Sequence, residues 1–447
     1  MGLVHGPADG GEPPVLPPIE SAAGTTVGST PSSKRSARPS TRRRWAGPGC
    51  PPGIYFRLLL IGYFEGIDSE RGIAWRAADS LALRDFLGLG WGDAVPDHST
   101  LSRTRRLIDL ETHQAVFTWV LEAVAEAGLV RGKTLGVDAT TLEANAALRS
   151  IVRRDTGASY ETFLQGLAQA SGIATPTRAD LARLDRKRRK KGSNDDWQHP
   201  DDPDARITKL KDGRTHLAHK AEHAVDMETG ALVAITLQEA HLGDTTTLAA
   251  TMLAATEQLC AVAALTDAPV ASGEEWVADK GYHSRAVVQG IEALGARAYL
   301  AEPARGRQCW TEQAAAQRAV YANRRRIRGP RGKRLQRQRG ELLERPCAHL
   351  YETGGLRRTH LRGHPNILKR LLVHAAGFNV GLLMRRRIGV GSPRSLQGRP
   401  GLVLVLFALL HHLRGARCPG TASLAHRAIR CSLGALSPCQ NVRGSQR

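Results

Sequence analysis

Between Ile54 and Leu129 apolar positions recur at helical spacing. The segment IYFRLLLIGYF opens this stretch. Ser69 then precedes ERGIAWRAADSLALRDFLGL, where Ile73, Ala77, Leu81 and Phe86 recur at helical spacing. Pro96 and Asp97 break the pattern, and Ser99 is the expected N-cap of a further helix, TLSRTRRLIDL. From Lys133 the period shortens. TLGVDATTLEA predicts a buried strand ending in an acid and threonines, and HLAHKAEHAVDMETGALVAITLQEA a hairpin turning at METG. Thr245 to Leu265 predicts an Ala/Leu-rich helix, EEWVADKGY a second strand ending in an acid, Ser284 to Leu294 a helix, and ARAYLAEP a last strand.

Three adjacent antiparallel strands followed by alternating strands and helices predict an α/β fold, a mixed sheet with helices on both faces. An RNase H-like sheet has this order. Four parts follow. Residues 1–52, rich in Gly, Pro, Ser and Thr, read as a disordered basic arm. Residues 53–130 read as a helical, helix-turn-helix-like DNA-binding domain. Residues 131–390 form the sheet domain, with a polar surface insert at about 150–205 and a basic stretch at about 303–340. Residues 391–447 are an irregular tail.

Charge narrows the partners. The chain of 447 residues has 63 Lys+Arg against 42 Asp+Glu, a formal net charge of +21, which predicts a polyanionic partner. Hydrophobic residues make up 41%, enough for a core. Seven cysteines, an odd number without a CxxC pair, argue against a disulfide framework or a zinc ribbon and suit a reduced, cytoplasmic setting. The longest purely apolar run, Leu402 to Leu410, is about half of a membrane span, and the N-terminus lacks the pattern of a secretory signal. No membrane association is expected. Between Asn323 and Arg339 there is no acid, so Arg324, Arg325, Arg326 and the basic residues after them are expected to face water or phosphate. Arg103, Arg105 and Arg106, on the third predicted helix, suit DNA contact.

Asp138 and Asp279 each close a predicted strand, where open α/β sheets bind ligands. Two carboxylates brought together there repel unless a cation joins them. Mg²⁺ accepts one or two carboxylates with water and phosphate oxygens. Two such ions about 3.5–4 Å apart can activate a water or a 3′-hydroxyl and stabilise the leaving oxygen. Glu341, Glu344 and Glu352 are the candidates for a third acid. His216, His219 and His223 lie on a predicted strand where the last two share a face. They read as structural or DNA-contacting rather than as metal ligands.

The segments VDATTLEANAALRSIVRRDTG, DPDARITKLKDGRTHLAHKAEHAVD, VADKGYHS and ELLERPCAHLYETGGLRRTHLRGHPNILKRLLVHAAGFNVGLLMR resemble transposases of bacterial insertion sequences. These carry a DDE triad on an RNase H-like fold. The resemblance runs from about Pro52 to about Gly398. It implies that Asp138, Asp279 and Glu344 bind Mg²⁺ or Mn²⁺, two ions in all. It also implies cleavage at element ends, strand transfer into target DNA, and a homodimer in the synaptic complex near the nucleoid. Lys280 beside the second acid would contact the backbone. Many relatives have Tyr, Arg and Lys at seven before, four before and seven after the glutamate. Here Glu344 has Arg337, Gly340 and Tyr351, while Glu341 matches at Arg337 alone. The arm and the tail also depart from the relatives. The alternative is a catalytically dead or domesticated transposase-derived DNA-binding protein.

Overall fold

A computed structural model describes residues 49–396 apart from 189–191, 211, 305, 307, 308 and 312. Nearly all of the expected arm and tail lies outside the described residues.

Five helices come first: α1 (Pro52–Glu65), α2 (Glu70–Asp79), α3 (Leu81–Leu87), α4 (His98–Leu107) and α5 (Leu110–Glu126). Each start after α1 has a side-chain cap. Ser69 accepts from Gly72 N–H, Ser80 from Leu83 N–H, Asp97 from Thr100 N–H and Asp109 from Thr112 N–H. Two expectations are corrected. The single helix predicted after Ser69 is two, because Ser80 is extended and caps a new start. The cap of α4 is Asp97 rather than Ser99, whose hydroxyl donates to Asp97 instead.

The main sheet is mixed. Its strands are β1 (Thr134–Glu143), β4 (Arg206–Lys209), β5 (Thr215–Asp226), β6 (Leu232–Glu239), β7 (Glu275–Ala278) and β8 (Arg297–Leu300). The short pair β2 (Val152–Arg153) and β3 (Trp197–Gln198) stands apart in the insert. β1 is antiparallel to β5, and β5 is antiparallel to β6, which turns at METG with Gly230 at φ 78°. β4 extends the outer edge of β5 at residues 215–218. On the other side β7 runs parallel to β1 and β8 parallel to β7. The order across the sheet is β6–β5–β1–β7–β8.

The remaining helices are α6 (Tyr160–Ala170), α7 (Arg178–Lys187), α8 (Asp244–Leu265), α9 (Arg285–Ala293), α10 (Ala314–Arg328), α11 (Pro330–Ala348) and α12 (His364–Ile388). α8 covers one face of the sheet, where Thr247 and Thr251 reach Glu222 of β5. α11 covers the other, packing Leu343 over Gly136. The insert at 150–205 is built from α6, α7 and the β2–β3 pair. Tyr160 and Phe163 pack edge-on against a buried Trp197. α8 and residues 364–395 are long and apolar enough to cross a membrane by length and composition. The second is a core element, 83% buried within the protein.

Both edges of the sheet are closed by a buried asparagine. Asn379 of α12 accepts from Leu232 N–H and donates to Leu232 C=O, at 2.9 and 2.8 Å. Asn323 of α10 does the same to Leu300, at 3.0 and 2.9 Å. Each side-chain amide thus satisfies the buried N–H and C=O that one edge residue has no strand partner for.

The boundary expected near residue 130 is not a break in packing. Phe117, Leu121 and Val124 of α5 belong to the same core as the sheet, and Tyr63 of α1 packs against Gly377 of α12. Replacing Asn323 or Asn379 by Leu leaves two buried backbone groups without partners. Each variant is expected to lose at least about 2 kcal/mol of stability, measured by urea denaturation.

Candidate active site

β1 and β7 pair in parallel with Thr134 opposite Glu275, Leu135 opposite Trp276 and Gly136 opposite Val277. Continued by two residues, that register would set Asp138 level with Asp279. Asp279 directly follows β7, but β1 runs on from Asp138 to Glu143, so the expectation that Asp138 closes its strand is corrected. The register is locked at the other end. Thr134 Oγ1 donates to Glu275 at 2.7 Å, and Arg331 of α11 forms an ion pair with the same buried carboxylate. Burial pushes Glu275 up, but the Arg331 guanidinium and the Thr134 hydroxyl outweigh it and hold the carboxyl below its ordinary range.

Asp279 caps the short turn Lys280–Tyr282. Its Oδ1 accepts Gly281 N–H at 2.8 Å. Gly281 has no room for a side chain. A Cβ there would lie 2.5 Å from Asp244 Oδ2 and 3.0 Å from Asp279 Oδ1, so the two carboxylates flank one glycine. Asp244 is the acid that sequence reading missed. It opens α8 and is held by Lys220 Nζ at 2.6 Å. Lys220 also donates to Thr247 at 2.8 Å and lies 3.2 Å from Glu222. Tyr282 donates to Glu222 at 3.2 Å, so the turn after Asp279 is pinned to this buried network. Burial, with Glu222, Asp244 and Asp138 nearby, pushes the Tyr282 hydroxyl far above its ordinary range. The sequence sign of the network was the charged pair Lys220 and Glu222 between Ala218 and Ala224 on one face of β5.

Asp138 lies on the opposite face of β1, with Gly136 and Thr140. A Cβ on Gly136 would sit 3.0 Å from Leu343, and Thr140 meets Cys347 at 3.8 Å. The turn of α11 from Leu343 to Cys347 therefore lies over the stretch of β1 that carries Asp138, and Glu344 belongs to that turn. Glu344 is exposed. Glu341, also exposed, is paired with Arg345 at 3.4 Å. Glu352, in the π-helical turn after α11, is paired with Arg357. Among the described residues, no three His, Cys, Asp or Glu side chains are grouped so as to hold a metal ion.

The expected DNA contacts divide. Arg103, Arg106, Lys280 and Arg325 are exposed. Arg105 is engaged by Glu70, Arg324 by Glu302 and Arg326 by Glu292. The expectation that the run from 324 to 339 faces water or phosphate is thus corrected, since Glu302 just after β8, Glu292 of α9 and Glu275 of β7 reach into it. His219 and His223 are buried on the Asp138 face, bonded to Asp202 and Tyr351, while His216 lies on the other face near Asp212. That His219 and His223 share a face and His216 does not is as the strand periodicity predicted.

Lys220→Met strands the buried Glu222 carboxylate and is expected to cost about 3–5 kcal/mol. Glu222→Gln added to it should recover part of that loss in a double-mutant cycle by urea denaturation. Burial also lowers His223 to about 4 from an ordinary 6.5. The unfolded chain takes up this proton near pH 6.5 and the folded chain does not. Stability is therefore full above that pH and falls as pH drops towards 4, by up to about 1.4 kcal/mol per unit for this one group. Denaturation curves across that window in the wild type and His223→Gln check the slope.

No curated protein and no solved structure matches this chain. Residues 36–107 match a family model described as a transposase domain (DUF772). That segment ends with α4, upstream of the sheet and of both aspartates. The match supports a transposase family for this chain.

Proposed function

We propose that this chain is a DNA transposase of the DDE type, with Asp138 and Asp279 on an RNase H-like sheet as its first two catalytic acids and Glu344 as the third. The observation that carries the proposal is the β1–β7 register, paired up to Gly136 and Val277, which if continued by two residues sets Asp138 level with Asp279. The strand order supports it: three antiparallel strands, then two strands parallel to the first, as an RNase H-like sheet requires. The transposase-domain match supports it from a separate part of the chain.

Paired carboxylates suit Mg²⁺ or Mn²⁺, hard cations that take one or two carboxylates and fill the remaining positions with water and phosphate oxygens. Asp138 and Asp279 would hold the cation, with Glu344 joining from α11. When bound, it supplies charge neutralisation at the scissile phosphate. The chain itself supplies position. Gly281 N–H and the Lys220 network fix the turn that aims Asp279, and Lys280, Arg325, Arg103 and Arg106 present positive charge to neighbouring phosphates. Hydrolysis at an element end frees a 3′-hydroxyl, which attacks target DNA in line. Joining two ends makes a homodimer the smallest synaptic assembly.

The lack of a three-ligand group among the described residues favours a second reading, a transposase-derived protein that occupies DNA without cutting it. The two readings part in one assay. Under the first, the full chain with Mg²⁺ or Mn²⁺ nicks a duplex carrying its element's terminal inverted repeats. Asp138→Asn, Asp279→Asn and Glu344→Gln each reduce nicking more than about 100-fold while duplex affinity persists, and Glu341→Gln cuts like wild type. Under the second, wild type binds with a salt slope of about −0.9 per neutralised phosphate and yields no product. Unimpaired cutting by Asp138→Asn refutes the catalytic assignment.

A further inference from the structure

A cavity of about 280 Å³ lies between the start of α2, α4, the end of β1, the segment after the π-helical turn, and α12. Two guanidinium groups, Arg105 and Arg370, line it. Arg370 is 7% exposed. Its Nε donates to His374 Nε2 at 2.8 Å and its Nη2 to Ile67 C=O at 3.3 Å, and among the described residues no carboxylate pairs with it. Arg105 is paired with Glu70, yet its Nε is buried without a hydrogen-bond acceptor. The other acid of the cavity, Asp68, bonds to His360 at 2.7 Å and forms no ion pair with Arg370. Arg370 is thus a buried guanidinium with no carboxylate in contact among the described residues.

A buried guanidinium with no carboxylate in contact asks for a ligand. Burial lowers Arg370 to about 10, so it keeps its charge at neutral pH. His374, lowered well below its ordinary value by burial and by Arg370, stays neutral and accepts the Nε proton. A buried charge without a counter-charge is costly, and a guanidinium fork matches the spacing of two oxygens on a tetrahedral anion. Ser69 and Glu70, which start α2, also line the cavity and add the positive end of a helix dipole. The neighbouring Lys369 makes a useful contrast. It too is buried, but it donates to Arg105 C=O and Ile108 C=O at the end of α4, where the dipole is negative.

We propose that this cavity is an anion site that takes a phosphate group on Arg370 and Arg105, separate from the Asp138–Asp279 pair. Leu142, on its wall, lies four residues along β1 from Asp138, about 13 Å away at the strand rise. The phosphate can therefore come from a DNA strand that leaves the sheet end or from solution, and the test distinguishes the two.

The test follows thermal unfolding of the full chain with inorganic phosphate against sodium chloride at matched ionic strength. Wild type is expected to gain stability saturably with phosphate. Arg370→Met should weaken the phosphate Kd more than about tenfold. Asp68→Asn, at the half-exposed mouth, removes a neighbouring negative charge and should tighten it roughly threefold, which keeps the proposal testable if Arg370→Met does not fold. A Kd unchanged in both variants, or a phosphate effect no larger than that of chloride, overturns it. Fluorescence anisotropy with duplex DNA then identifies the source. Weaker binding by Arg370→Met, with a salt slope smaller by about 1, assigns a backbone phosphate. Unchanged duplex affinity with the phosphate response lost assigns free phosphate. Neither readout depends on cleavage, so failure here leaves the proposed nuclease chemistry standing, and the reverse.

Discussion

The parallel pairing of β1 with β7 is the constraint on which the candidate site depends. The two strands come from distant parts of the chain, and their shared register runs to the residues just before Asp138 and Asp279. Successive side chains of a strand alternate between faces, so a slip by one residue would turn one acid away from the other. The chain secures this register at the opposite end of the pair. Thr134, Glu275 and Arg331 form a buried knot across β1, β7 and α11. On the other side of β1, Asp226 accepts the N–H groups of Arg131 and Gly132 just before the strand begins.

Charge is used in two ways. Some basic residues stand exposed, and these give the surface its attraction for a polyanion. Others are internal fittings. Arg324 and Arg326 of α10 bind Glu302, just after β8, and Glu292 of α9, and Arg331 of α11 binds Glu275 of β7. Lys220 sits inside a ring of Asp244, Glu222 and Thr247, close behind the turn that carries Asp279. Such a network is rigid only while every member is satisfied.

The helices before the sheet are joined to it by α12. That helix packs against α5, reaches Tyr63 of α1 through Gly377, carries Lys369 to the end of α4, and closes the edge of β6 through Asn379. It also brings Arg370 to the cavity beside α2. The described part of the segment matched to a transposase domain and the sheet thus share packing.

Local pattern determined much of this. The alternation in ALVAITL, the METG turn, the Ala/Leu periodicity of α8 and the short apolar runs ending in Asp138 and Asp279 depend on neighbours within a few residues, and each was legible in the sequence. The face shared by His219 and His223 followed from strand periodicity in the same way. What the sequence did not reveal depended on distant partners. That Ser80 ends one helix and starts another, that acids reach Arg324 and Arg326, that Lys220 and Asp244 brace the Asp279 turn, and that Arg370 is buried without a carboxylate are outcomes of tertiary packing. A charged side chain reads alike in the sequence whether it meets water, a glutamate or an empty cavity. Only the folded chain, by fixing which groups are desolvated together, decides among them.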